Sequence, residues 1–221
     1  MDITIAEELL LLSHDEETGR PNISEAAVDV TLTAAVLAEL TLAGRFRYVE
    51  GRLEVLDPTP TGDDELDKVL RDIAASKPRE TRFWLDRLTN PTRRWNLLKR
   101  LAERGVLSEE HGKVLGLFRT TKYPERDPGV EREIRRRVRD VLDGAAPDER
   151  VSVLVTLVGA CGLGQKLFPD ARPERVVEIT EGQWTGPTVS EAITQIMHAI
   201  HTAVRVSTTM GMGNIIAASD S

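Results

Sequence analysis

A single cysteine, Cys161, stands among 221 residues, so the chain forms no internal disulfide and no thiolate cage for zinc. No stretch approaches the roughly 18–20 continuous apolar residues of a membrane span. Leu9–Leu12 is far too short, and the run from Val151 to Leu163 is interrupted by Ser152, Thr156 and Gly159, which makes it a buried helix. The start, Met1-Asp2-Ile3, lacks the positive region of a secretory signal. With no leader and no cysteine pairs, the expected location is cytoplasmic, with any membrane met from the surface at its inner face. Positive charge is not in excess either: 29 Lys and Arg face 36 Asp and Glu, a net charge of −7. That balance argues against nucleic acid as a partner and requires any anion to be met by a local basic patch. No P-loop, Gly-x-Ser-x-Gly elbow or dinucleotide fingerprint is present, and no nucleophile–base pair, so neither an enzyme nor a cofactor is expected.

What is present is ordinary for a globular domain, 40% hydrophobic and 29% charged. The length allows a single core. The pattern reads as mainly α: a single globular helical domain over residues 1–206, with one or two short β-hairpins and a buried central helix, then a frayed tail over 207–221. Thr4 and Glu7 form a capping box ahead of Leu9–Leu12. A turn over Asp15–Gly19 precedes a helix from Ser24 to about Ala43, with Gly44 as its C-cap. Alternation on both sides of Glu50-Gly51 predicts a hairpin between Arg45 and Leu56. Helices follow around Leu66–Ile73 and Trp84–Leu88. Asn90-Pro91 opens another whose apolar face is Trp95, Leu98, Leu101 and Ala102. A short strand is expected over Val114–Phe118. Helices come next over Val130–Leu142, Val151–Phe168 and Arg172–Glu181. Gly182 and Gly186 flank Trp184 in a loop. A last helix starts at Thr188, with an apolar stripe from Val189 to Val204.

Four stretches, in this order, resemble the Golgi phosphoprotein 3 family. They are Ile3–Leu12 with its following turn, Ala35–Arg45 leading into the hairpin, Pro60-Thr61-Gly62-Asp63 with Leu66-Asp67, and Leu101–Leu107. The resemblance runs from about residue 3 to 205. It implies a mostly helical single domain that is not an enzyme, binds phosphatidylinositol 4-phosphate headgroups at a membrane surface and, in eukaryotic members, acts as an adaptor. Arg outnumbers Lys 23 to 6, a bias of GC-rich bacterial genomes, so a bacterial member is expected. The family pattern carries a Trp and an Arg at the positions of Ser24 and Thr33, and an Arg-x-x-Arg pair that falls on Pro91 and Arg94. Of these four ligand positions, only Arg94 is retained.

The residues give their own reason to single out Arg94 and its neighbour Arg93. On the Asn90 helix they fall at N3 and N4, where a cation costs about 0.3–1 kcal/mol against the helix dipole. A bound phosphate there, gripped by two guanidinium forks, would explain the pair. The alternative is neutralisation by Asp86 or another acidic neighbour. The cluster Arg132, Arg135, Arg136, Arg137 and Arg139 reads as a solvated face balanced by Glu131, Glu133 and Asp140, or else as a lipid-facing surface. His198 and His201 share a helix face but lack further ligands for a metal. His14 and His111 read as surface residues, Cys161 as a buried thiol, and Asp63-Asp64-Glu65 as acidic residues at a helix start. Two further functions stay open. One is a protein-directed adaptor that uses the Trp184 loop or the Arg45–Leu56 hairpin. The other is a winged-helix-like nucleic-acid binder built on Ala35–Leu56 or Leu98–Phe118, which Glu50, Glu54, Glu109 and Glu110 oppose.

Overall fold

The structure, a computed structural model, describes residues 3–16, 18–114 and 118–180, together with Thr194. Among the described residues nine helices and five short strands follow one another. They are α1 (Ile5–Ser13), α2 (Glu25–Leu42), β1 (Phe46–Val49), β2 (Arg52–Val55), α3 (Asp64–Ala74), β3 (Arg79–Glu80), α4 (Thr81–Leu88), α5 (Pro91–Glu103), β4 (Glu110–Val114), β5 (Phe118–Lys122), α6 (Pro128–Leu142), α7 (Glu149–Ala160), α8 (Gly164–Leu167) and α9 (Pro173–Thr180). The fold is mainly α, as the apolar periodicities require.

Three helices rich in Leu, Val and Ala form the centre. Every residue of α1 is buried, α7 is buried along nearly its whole length, and α2 is buried from Ala27 through Thr41 with few gaps. A helix apolar on all sides has no solvent face to offer, so it becomes interior. The amphipathic helices α3, α4, α5 and α6 surround these three and turn one stripe inward. Because α2 is a core helix, it cannot be the exposed recognition helix that a winged-helix reading of Ala35–Leu56 needs.

The four stretches that carry the family resemblance are local devices of this architecture. In the first, Thr4 and Glu7 make the expected capping box. In the second, Gly44 takes φ +68 at the end of α2, and Arg45 forms an ion pair with Asp57 across the base of the hairpin. In the third, Asp67 accepts from the Thr61 N–H at 2.6 Å, the Thr61 hydroxyl at 2.7 Å and the Gly62 N–H at 3.2 Å, while Asp63 caps α3. In the fourth, Gly105 at φ +77 ends α5, and the Val106 N–H returns to the Leu101 carbonyl. Gly19 is a tighter constraint: at φ +61, a Cβ there would lie 2.8 Å from the Tyr123 backbone.

The structure corrects several sequence expectations. Of the strand expected over Val114–Phe118, Val114 instead ends β4 and Phe118 opens β5, which pair antiparallel from Glu110↔Lys122 to Val114↔Phe118, while residues 115–117 lie outside the described residues. The helix expected over Val151–Phe168 stops at Ala160, because Gly162 turns to φ +82, and resumes as the one-turn α8. A third strand, β3, adds to β2 of the first hairpin through Arg52↔Glu80 and Leu53↔Arg79. On α5, Trp95 is 45% exposed and does not belong to the inward face. The Trp184 loop, the helix expected from Thr188 with His198 and His201, and the boundary between 206 and 207 lie outside the described residues.

Candidate functional site

The inward stripe of α5 is Arg93, Arg94, Leu97, Leu98 and Leu101. Asn90 caps the helix by accepting from the Thr92 N–H at 2.8 Å, and Pro91 takes N1. The register is therefore the expected one, and it carries both arginines into the interior, 5% and 3% exposed. Burial of a guanidinium demands partners, and these come from α2, α3 and α4 rather than from Asp86. Asp86 instead lies 3.8 Å from Arg82.

Arg94 donates through Nε to Asp29 Oδ1 at 3.0 Å and through Nη2 to Glu25 Oε2 at 2.8 Å. Its guanidinium also lies 5.2 Å from the ring centre of Trp95, which leans on Tyr123. Burial works against the Arg94 charge, but Glu25 and Asp29 outweigh it and raise its pKa. The hydrogen bond from Arg94 holds the Glu25 carboxyl below its usual range. Burial pushes Asp29 upward despite Arg94. Arg93 donates through Nη1 to the Thr33 hydroxyl at 2.6 Å and to the Leu88 carbonyl at 3.1 Å, and its Nε stands 3.5 Å from Glu65 Oε2. Burial lowers its pKa in spite of Glu65 and Asp29.

Ser24, Thr33 and Pro91 occupy the other positions that the resemblance singles out. Ser24 is the N-cap of α2 and accepts from the Ala27 N–H at 3.2 Å. Thr33 is fully buried and donates to the Asp29 carbonyl at 3.0 Å. The Arg93 guanidinium, coming from α5, lies against the Thr33 hydroxyl on α2. Pro91 is exposed at the helix start. The two guanidinium groups face three carboxylates, Glu25, Asp29 and Glu65. Two are shielded, but the Glu25 side chain is 64% exposed and lies on the solvent side of Arg94.

His14, expected on the surface, is buried. Its Nδ1 sits 2.8 Å from the Leu10 carbonyl and 3.0 Å from the Ser13 hydroxyl. Burial lowers its pKa, aided by the nearby Arg94. His111 is exposed, as expected. Cys161 is buried as expected, and burial pushes its thiol up to about 11, which leaves it a poor nucleophile. Asp63 and Glu65 are occupied by Arg100 and Asn96, each at 2.7 Å. Among the described residues no group of three or more His, Cys, Asp or Glu side chains is placed to hold a metal. On α6, Arg136 pairs with Glu133 and Asp140 on the surface, but Glu131 is 3% exposed and Arg137 reaches the buried Glu8.

Sequence reasoning missed an ionic lattice around α1. Glu7, fully buried, binds Arg100 at 2.8 Å and Arg104 at 3.4 Å. Glu8 binds Arg137 at 2.7 Å and Arg150 at 3.5 Å. Glu39 links the Ile5 N–H at 2.7 Å to Arg150 at 2.9 Å. Also missed is an apolar groove of about 350 Å³ between α6, α7, α8 and α9, lined by Val138, Leu142, Val155, Val158, Phe168 and Val176 among others.

Fold and site together define a mainly helical domain whose buried arginines, Arg93 and Arg94, are held by its own carboxylates. The family model for Golgi phosphoprotein 3 (GPP34) matches residues 5–196, and the chain belongs to that family. It is 30% identical to vacuolar protein sorting-associated protein 74 of Eremothecium gossypii over 165 residues, covering 63% of this chain and 49% of that protein. It is 27% identical to the protein of the same name from Schizosaccharomyces pombe over 165 residues, covering 63% of this chain and 48% of that protein. The chain thus spans about half the length of the curated relatives it matches. Among the described residues no helix is long and apolar enough to cross a membrane.

Proposed function

We propose that this chain is a non-enzymatic, peripheral binding protein, a bacterial member of its family, that takes an anionic lipid headgroup of the phosphatidylinositol 4-phosphate type at the Arg94 corner from the cytoplasmic side of a membrane. Family membership and the retained Arg94 support the reading. One observation carries it: the exposed Glu25 carboxylate sits 2.8 Å from Arg94 Nη2, at the first turn of α2. It marks a place where an oxyanion meets a guanidinium and a helix N-terminus together. A phosphate binds by displacing Glu25, while Asp29 keeps hold of Nε. Arg93 positions the corner through Thr33 and Leu88. Trp95 covers the Arg94 plane.

Vesicle flotation tests this exchange. Folded wild-type protein is expected to float with phosphatidylcholine vesicles carrying phosphatidylinositol 4-phosphate, and not with phosphatidylcholine alone. Glu25→Gln removes the competing charge and strengthens capture by about three- to tenfold, whereas Arg94→Lys keeps the charge, loses the fork and weakens capture by a similar factor. Equal recovery on both vesicles, or capture that Glu25→Gln leaves unchanged, overturns the exchange. A second reading, a protein-directed adaptor without lipid binding, is favoured by the internal pairing of Arg93 and Arg94. It is the outcome assigned by absence of capture from a folded chain.

A further inference from the structure

Helix α4 has two faces set by its spacing. Thr81, Trp84, Leu85 and Leu88 point inward and are buried. Arg82, Phe83, Asp86 and Arg87 therefore point outward, and all four are exposed. The segment ahead of the helix adds Lys77, Arg79 and Glu80, also exposed. Four basic residues thus meet two acidic ones between positions 77 and 87, on a chain whose net charge is −7. At the centre stands Phe83, 41% exposed, with the Arg79 guanidinium 5.3 Å from its ring centre and the buried Trp84 edge-on beneath it at 5.2 Å. In the hairpin, Arg52 stands opposite Glu80 and is also exposed, on the other face of the sheet from Arg79, which stands opposite the buried Leu53.

The pairing of these charges differs from that of the α5 corner. Among the described residues no ion pair engages Lys77, Arg79, Arg87 or Arg52, and Arg82 has only the exposed Asp86 at 3.8 Å. An aromatic side chain held out in water costs free energy, and unpaired cations around it repel one another. Both are relieved by a fluid surface that is anionic at its face and apolar just below.

We propose that the β3–α4 corner, Arg79, Arg82 and Arg87 around Phe83, docks on anionic phospholipid bilayers. The cations lie among the headgroups and the Phe83 ring enters at the acyl boundary. This surface uses neither Arg93 nor Arg94 and needs no phosphoinositide.

The test is flotation with vesicles of phosphatidylcholine, with and without phosphatidylserine, all free of phosphoinositide. The wild-type chain is expected to float only with phosphatidylserine, and to be released as sodium chloride is raised. Arg79→Glu with Arg82→Glu lowers the partition coefficient by about tenfold or more, with unchanged circular dichroism and thermal melting. Phe83→Trp places a reporter at the centre, whose emission shifts to the blue on phosphatidylserine vesicles alone. Three results overturn the proposal: a folded wild-type chain that stays in solution with phosphatidylserine vesicles, capture that the double reversal leaves unchanged, or a Phe83→Trp emission that does not shift. Equal retention on polyglutamate with no shift assigns the surface to an acidic protein instead. Loss of the phosphatidylinositol 4-phosphate response through Glu25 and Arg94 leaves this result untouched, because the vesicles contain none of that lipid.

Discussion

Arg94 occupies a place that each of its properties disfavours: a helix first turn, a buried face and a cationic neighbour. Asp29 and Glu25 make it tolerable, at 3.0 and 2.8 Å. The pair is therefore asymmetric to mutation. Arg94→Met leaves Asp29 shielded and without its cation, and is expected to cost about 3–5 kcal/mol in urea unfolding. Asp29→Leu in the same chain removes the orphan and recovers part of that loss. A double-mutant cycle with no coupling between the two positions would refute the clasp. The burial of Arg93 and Arg94 was legible in principle. Counting back from Leu97, Leu98 and Leu101 by three and four places both on the inward stripe. Placing Trp95 on the apolar face because it is aromatic obscures this, since an exposed tryptophan stacked on an arginine leaves the same sequence trace as a buried one. The partners were not legible: Asp29 and Glu25 are 65 and 69 residues away along the chain.

At the scale of elements, α6 and the end of α1 titrate in opposite senses. Glu131, on the buried side of α6, is pushed up to about 7 because burial outweighs the Arg135 ion pair, and Glu125 and Glu16 add repulsion. Its folded pKa lies above its unfolded value, so its contribution is complete below about pH 4.5 and is lost as pH rises through about 7. His14 has a folded pKa below its ordinary 6.5, so its contribution is present above that value and is lost as pH falls through the depressed one. Between about pH 4.5 and 7 the two groups therefore act on the melting temperature in opposite directions. Relative to wild type, Glu131→Gln is expected to remove a loss of melting temperature as pH rises through this window, and His14→Gln a loss as pH falls below 6.5. Parallel profiles for wild type and either variant would show that the group named does not carry its share. Element positions were mostly legible because caps and turns are local: Thr4, Asn90 and Gly44 each act within a few residues. The break after Ala160 and the third strand at Arg79-Glu80 were not. The first depends on which of several glycines takes positive φ, and the second on pairing with a hairpin about 25 residues upstream.

Across the whole molecule, two populations of charge stand in contrast. Around α1 and at the head of α5 it is enclosed: Glu7, Glu8, Asp29 and Arg94 are each almost fully buried, and every one is paired. On the outer face of α4 it is open and largely unpaired. Mobile ions reach only the second population, because screening, with a Debye length of about 3 Å at 1 M salt, acts through solvent and hardly touches desolvated pairs. Raising sodium chloride from about 0.1 M to about 1 M is therefore expected to move the melting temperature by no more than about 3 °C, whereas capture by phosphatidylserine vesicles is abolished over the same range. The two readouts separate the roles that one arginine-rich composition supports. If stability fell in step with capture, the enclosed pairs would have to be accessible to solvent, contrary to their burial. If neither responded, the open cations would not be what holds the chain to a bilayer.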